Sequence, residues 1–355
     1  MRALAIAAAI STSVIAACAV RSDDAERTAS RAQPIIHGAA SGSDQDFVVQ
    51  IGLDYGDRIH PSCSGTMVAP NLVLTARHCV GELQEDVTVV DWPAGALHVY
   101  AGANAPQRIE KRETSDARGK RVFTAPTKDL VPDVALILLD QPVDAPIAAI
   151  RLDGGAKKNE ILDVVGFGIT EEDDHPQVRM QRKSVRVLDI GPGRTVYHQL
   201  FDGEFVFGEA ACSGDSGGPA LSATTHAVVG VASRVSNGQD RTEQNPSGFC
   251  VGTDTEDVYS ALAPVKKVIT RAFAAAGAKP ILEGSAAPPP AKDAGAPEPA
   301  TSDDEAPAPP PPQTKTTTTT SGCAAAPSAT ASGWTPLVAA AALALGLRAR
   351  RRSER

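Results

Sequence analysis

Between Phe47 and about Val268 the chain is broken into short runs rich in Val, Ile and Leu, separated by Gly, Pro, Asp and Asn. The clearest are Phe47-Val48-Val49-Gln50-Ile51, Asn71 to Thr75, Val87 to Val90, Val134 to Leu139, Val164 to Phe167 and Val228 to Ala232. Short β-branched runs between turn formers suit strands, and their spacing predicts an all-β barrel architecture and not alternating βα units. After Tyr259 the period changes. Ala263 to Ala275 carries apolar residues at helical spacing, which predicts a C-terminal helix.

Both ends depart from this pattern. Met1-Arg2 followed by an Ala/Ile-rich run to Val20 has the positive start, apolar core and small residues of an export signal, and is too short for a stable membrane span. Ile15-Ala16-Ala17-Cys18 also resembles a bacterial lipobox, so residues 1–20 are expected to be a signal of either the ordinary or the lipoprotein type. Residues 21–34 are polar and charged, as in a short propeptide. From 278 to 321 Pro, Thr, Ala and acidic residues dominate, which predicts an extended stalk with no packed core. Residues 322–355 hold Gly322-Cys323, the apolar stretch Trp334 to Leu347 and a terminal Arg cluster. That stretch makes about 21 Å of helix, short of the roughly 30 Å hydrocarbon core. One globular domain at 35–277 is therefore expected, with disordered or anchoring segments around it.

A formal net charge of −8 argues against nucleic acid as partner. The seven histidines are scattered without ligand spacing, so neither a metal nor a cofactor is expected. The chemistry lies in Ala211-Cys212-Ser213-Gly214-Asp215-Ser216-Gly217-Gly218-Pro219, which is suited to a tight exposed turn. Such a turn presents the Ser216 hydroxyl, and the amides of Gly214 and Ser216 are placed to converge on one oxygen. A serine nucleophile needs a base held by a third group. His78, in Val73-Leu74-Thr75-Ala76-Arg77-His78-Cys79, and Asp133, which opens Asp133-Val134-Ala135-Leu136-Ile137-Leu138-Leu139, are the candidates; Asp129 and Asp140 lack that placement.

These motifs resemble the trypsin/chymotrypsin family of serine endopeptidases. The order His78, Asp133, Ser216 is that family's order, and differs from subtilisins and α/β-hydrolases. The histidine motif departs from Thr-Ala-Ala-His-Cys only at Arg77, which is expected mainly to alter the surface. The resemblance implies two six-stranded antiparallel β-barrels with the active site in the cleft between them. It implies that His78 is the base, Asp133 its orienting acid and the Gly214 and Ser216 amides the oxyanion hole, and that Cys63–Cys79 and Cys212–Cys250 are disulfides. Cys18 and Cys323 are left over, one in each targeting segment.

Ile35-Ile36-His37-Gly38 resembles the family's activated N-terminus, whose freed amine would pair with Asp215; a buried carboxylate with no partner is otherwise unfavourable. Pro34 precedes the cut, so the activating protease is left open, with Arg31 as a candidate first site. In the family's register Ala210 is the pocket floor, and Asp257 and Val235 are on its walls. Asp257 favours Arg or Lys before the scissile bond. The alternatives are a pocket narrowed by Val235 toward small aliphatic residues, with Asp257 bonded to a backbone amide, and a catalytically idle binding protein on the same fold. Ser233 matches the serine that supports the acid, and Ser233-Arg234-Val235 the edge that pairs with an extended substrate. The tail resembles the sorting signal of myxobacterial surface proteins. The expected partners are protein or peptide substrates, an activating protease and, through the tail, a membrane. The molecule is expected to be a monomer, exported and held at the cell surface or outer membrane of a Gram-negative bacterium.

Overall fold

The computed structural model describes residues 35–285 except 85–87, 127–130 and 172–174. The expected signal, propeptide, stalk and tail, with Cys18 and Cys323, lie outside the described residues, as does Asp129. Among the described residues no helix is long and apolar enough to cross a membrane.

Six strands form a closed barrel: β1 (Val48–Asp54), β2 (Ile59–Ala69), β3 (Leu72–Thr75), β4 (Leu97–Tyr100), β5 (Ala117–Thr124) and β6 (Ala135–Leu139), in the order β1-β2-β3-β6-β5-β4. β3 and β6 are buried along their whole length, which explains why they appear in the sequence as unbroken apolar runs. β5 alternates at its start, with Ala117 and Gly119 buried and Arg118 and Lys120 exposed, as expected of a barrel wall with one wet face.

The second half contributes β7 (Ile161–Gly166), β8 (Met180–Arg186), β9 (Glu204–Phe207), β10 (Pro219–Ser222), β11 (Val228–Ser236) and β12 (Glu256–Ala261). Their sheet order is β8-β7-β10-β11-β12-β9, extended at its ends by the two-residue strands Ala39–Ala40 and Asp189–Ile190. This repeats the neighbour order of the first ring except that β8 and β9 are not directly paired. The chain leaving β8 reaches β9 through Asp189–Ile190, with Asp189 opposite Val206 and Ile190 opposite Phe205. In this half the adjacency of β8 to β9 thus passes to a short continuation of β8.

The predicted closing helix spans Lys266–Ala276, after a 3-10 turn at Ala263–Val265. Val268, Ile269, Ala272 and Phe273 are its buried face, and they join the core of the first barrel. Gly277 ends the helix in a left-handed conformation at φ 68°, and Ala278 N–H donates back to the Phe273 carbonyl.

A buried arginine ties the segment after residue 38 to both halves. Arg179 is fully buried beside β8 and donates to Ser41 Oγ at 2.6 Å, the Gly42 carbonyl at 2.8 Å, the Val48 carbonyl at 3.1 Å and Asp46 Oδ1 at 2.8 Å. Removing it empties a fully buried site and takes the cation from Asp46. Arg179→Ala is expected to lower unfolding stability by about 3 kcal/mol in urea denaturation, within the range for breaking a buried ion pair. A loss below about 0.5 kcal/mol would show that the segment is held by other contacts.

Candidate active site

β3 ends at Thr75 and the chain turns through a 3-10 segment, Arg77–Val80, that carries His78. Asp133 stands just before β6, which pairs with β3 in the register Thr75 to Ala135. Adjacent strand ends therefore bring the two side chains together. His78 Nδ1 lies 2.8 Å from Asp133 Oδ2, and His78 N–H donates to Asp133 Oδ1 at 3.1 Å. Ser233 Oγ, from β11, donates to Asp133 Oδ2 at 2.6 Å, and Asp133 is fully buried. Burial alone would drive the Asp133 carboxyl up; the facing His78 and the hydrogen bonds from His78 and Ser233 outweigh it, and the carboxyl is held below its ordinary value. Burial likewise opposes a charge on His78, but the Asp133 charge and hydrogen bond prevail and raise the imidazole.

The loop bearing Ser216 is seated on this corner. Gly217 adopts φ 77°, and a Cβ there would lie 2.1 Å from Thr75 Oγ1 and 2.8 Å from Ala76 N. Only glycine permits that approach. The Ser216 carbonyl accepts from Ser64 N–H at 2.8 Å and lies 3.5 Å from the sulfur of Cys79, the residue after His78. Cys63–Cys79 and Cys212–Cys250 are joined as expected, the first bracing the His78 turn and the second the Ser216 loop. The sulfurs of Cys63 and Cys79 approach His78 within 4.8 Å, but as a disulfide they offer no thiolate to a metal.

Asp215 points inward. It is 2% exposed, accepting from Gly168 N–H at 2.7 Å and Cys212 N–H at 2.9 Å, and among the described residues no cation pairs with it. Burial raises its pKa to about 7, only partly offset by the two amides. Ile35 and Ile36 are buried, Ile35 among residues that include Ala210 and Ala211, and Ile36 beside the Cys212–Cys250 disulfide. Ile35 has φ 55°, an unfavourable conformation for a β-branched residue. His37 fastens the same segment, with Nδ1 3.2 Å from Glu171 and Nε2 3.0 Å from Glu209.

Ala210 is fully buried, and Val235 and Asp257 are register partners across β11 and β12. Asp257 is 1% exposed; its Oδ2 accepts from Ala211 N–H at 2.7 Å, and among the described residues its Oδ1 has no hydrogen-bond partner. Burial pushes this carboxyl well above its ordinary value, and the neighbouring Asp215 adds to the effect. Arg77 departs from expectation. It is 6% exposed and not a surface variant: Nη2 donates to the Val89 carbonyl at 3.0 Å and pairs with Asp91 at 2.6 Å, fastening the His78 turn to the ribbon of Gly81–Leu83 and Val89–Asp91.

Two features escaped sequence reasoning. Ser64 is fully buried on β2, its hydroxyl donating to the Gly214 carbonyl at 2.8 Å and accepting from Phe167 N–H at 3.0 Å. A cleft of about 640 Å³ opens beside Gly214 and Ser213, lined by parts of β2, α1 (Ala105–Glu110) and residues 175–177. The signal for Ser64 was present, one residue after Cys63, but its partners are 103 and 150 residues away.

A protein-family model described as Trypsin matches residues 36–256. A trypsin of Saccharopolyspora erythraea is 27% identical over 207 residues, which is 55% of this chain and 83% of that protein. A trypsin of Phaedon cochleariae is 26% identical over 208 residues, 53% of this chain and 73% of that protein. The thrombin-like enzyme elegaxobin-1 of Protobothrops elegans is 28% identical over 178 residues, 45% and 69% of the respective chains.

Gly168 is the position whose replacement tests this geometry. A Cβ there would fall 2.3 Å from Asp215 Oδ2 and 2.8 Å from Asp215 N, so Gly168→Ala must expel the Asp215 side chain. The variant is expected to lose more than about 2 kcal/mol of stability in urea, the order of a lost buried network. Wild-type stability would show that Asp215 does not depend on this site.

Proposed function

Because this chain belongs to the trypsin family, whose model spans more than half of it, we propose that it is a serine endopeptidase acting through Ser216, His78 and Asp133. The observation that carries the reading is the two-point grip of Asp133 on His78, beside a Ser216 loop seated on the same strand ends. In this reading His78 takes the proton from Ser216 Oγ as it attacks the scissile carbonyl and returns it to the leaving amine. Asp133, braced by Ser233, fixes the tautomer and stabilises the imidazolium. The amides of Gly214 and Ser216 receive the oxyanion.

Asp257 supports a preference for Arg or Lys before the scissile bond. Its Oδ1 has no hydrogen-bond partner among the described residues, and in this reading that oxygen is the one offered to the substrate's cation. In a peptide-library digest with protein beginning at Ile35, cleavage is expected after Arg and Lys. Ser216→Ala is expected to abolish it, and Asp257→Ala to cut kcat/KM on Arg substrates by more than tenfold. Cleavage after Ala or Val, insensitive to Asp257→Ala, would assign the pocket to Val235.

Activation follows from Asp215. Cleavage before Ile35 abolishes the strained φ there and frees an α-amine as the cation that Asp215 lacks. In the uncut chain Asp215 has a folded pKa of about 7 against roughly 3.9 unfolded. The folded state thus binds the extra proton, and ionising Asp215 costs the uncut form on the order of a few kcal/mol as pH rises through that window. A cation partner removes the penalty. On a Ser216→Ala background the melting temperature of the cut form is expected to rise relative to the uncut form between pH 4 and 7. Parallel pH profiles would contradict the pairing.

The same reading takes residues 1–20 as an export signal, 21–34 as a propeptide, 278–321 as a stalk and 322–355 as a surface-sorting tail. Two disulfides fit an exported protein. Mass spectrometry of the native host's surface fraction is expected to find a monomeric product starting at Ile35 and lacking the terminal Arg cluster. An intact Met1 in the cytoplasm would overturn it.

A further inference from the structure

The Ser64 hydroxyl spans the two halves of the fold at the point where the proposed oxyanion hole is made. Two peptide planes meet at the Gly214 Cα. The first carries the Ser213 carbonyl, which accepts from Ile169 N–H at 2.8 Å, and the Gly214 N–H, which in a trans peptide points the opposite way. The second carries the Gly214 carbonyl, held by Ser64 Oγ at 2.8 Å. Gly214 sits at φ 99°, and its second plane is held at both ends, by Ser64 Oγ on the carbonyl and by the Asp215 N–H, which donates to the Cys212 carbonyl at 3.1 Å. Ser64 Oγ is itself oriented by Phe167 N–H at 3.0 Å, which leaves its single proton for the Gly214 carbonyl.

We propose that Ser64 is a positioning residue that locks the Gly214 amide in its oxyanion-binding orientation; this rests on the peptidase reading above. Ser64→Ala and Ser64→Gly should lower kcat about tenfold with KM within twofold. They should raise the inhibition constant of a peptidyl trifluoromethyl ketone, whose adduct carries the oxyanion, by the same factor as kcat falls. Amide exchange at Phe167 should quicken in both variants. Unchanged kcat and inhibition constant, or losses in kcat that merely track melting temperature, would overturn the role. If wild-type protein starting at Ile35 hydrolyses nothing, the peptidase reading fails on its own. The lock is then decided by exchange at the Asp215 amide, which shares the peptide plane of the Gly214 carbonyl and speeds in Ser64→Ala if the lock exists and stays unchanged if it does not.

A separate observation concerns the cleft of about 640 Å³ beside Gly214. Among the described residues its walls carry Arg58, Arg112 and Arg241 and one acid, Glu110, on a chain of net charge −8. Among the described residues none of the three guanidinium groups pairs with a carboxylate; Arg58 reaches His60 at 3.2 Å and Arg241 the Ser213 hydroxyl at 3.2 Å. The acyl half of a substrate is assigned to the edge of β11, and the cleft includes neither Ser233 nor Val235. The leaving half has this cleft to enter.

On the same peptidase reading, we infer that the cleft selects acidic residues on the leaving side of the scissile bond. Peptides with Asp or Glu at the second and third leaving-side positions should show about fivefold higher kcat/KM than Lys counterparts, the scale of exposed ion pairs. The preference should vanish in Arg112→Glu/Arg241→Glu and shrink in 0.5 M salt. Equal rates for both series, or a Lys preference, would overturn it. Binding of both series to Ser216→Ala by calorimetry separates the two claims: acid-selective binding without wild-type cleavage keeps the cleft and sinks the peptidase, and unselective binding sinks the cleft.

Discussion

A carboxylate buried with no cation beside it among the described residues governs this structure. Asp215 is enclosed between Gly168 and Cys212, and its two amide donors do not replace the solvation it has lost. Everything adjacent is shaped around it. Glycine stands at 166 and 168 because a Cβ at either would lie within 2.3 Å of an Asp215 oxygen. The residue after Asp215 is the proposed nucleophile and the residue before it a proposed oxyanion donor, so whatever settles the charge settles the geometry of the reaction. The segment that would bring the compensating charge is already packed nearby, with Ile35 and Ile36 buried.

The two halves of the fold contribute different things. The first barrel supplies a rigid corner where paired strands β3 and β6 end together at His78 and Asp133. The second supplies the Ser216 loop, together with Ser233 to brace the acid. Contacts across the junction are backbone-deep: Gly217 against Thr75, Ser64 against Ser216, Gly214 and Phe167. A site assembled from strand ends of two packed bodies is precise because neither side chain rests on a free loop.

Much of this was legible in the chain. Runs buried on both sides, such as Leu72–Thr75 and Ala135–Leu139, announce themselves as apolar blocks, and the motifs around His78, Asp133 and Ser216 mark their own positions. Strands such as Ala117–Thr124, with the run Arg118-Gly119-Lys120-Arg121, carry polar residues on a wet face and do not stand out. Residues whose partners are remote in sequence were the ones missed or misjudged. Arg77 looked like a surface change because Asp91 and Val89, which bury its head, lie beyond the turn. The roles of Arg179 and Ser64 were not readable locally, since every partner of their side chains is more than a hundred residues away. Asp257 was recognised as an acid near the pocket, but only the structure shows one oxygen committed to Ala211 and the other without a partner among the described residues.

The central claim is that Ser216 is a nucleophile activated by His78 once Asp215 has its cation. Intact-mass analysis after treatment with a fluorophosphonate tests it most directly, applied to protein beginning at Ile35, to the uncut chain and to a His78→Ala variant of the cut form. The account predicts one adduct, mapped to Ser216, forming rapidly only in the cut protein with His78 present. Absence of labelling in the cut protein, or equal labelling in all three, would contradict it.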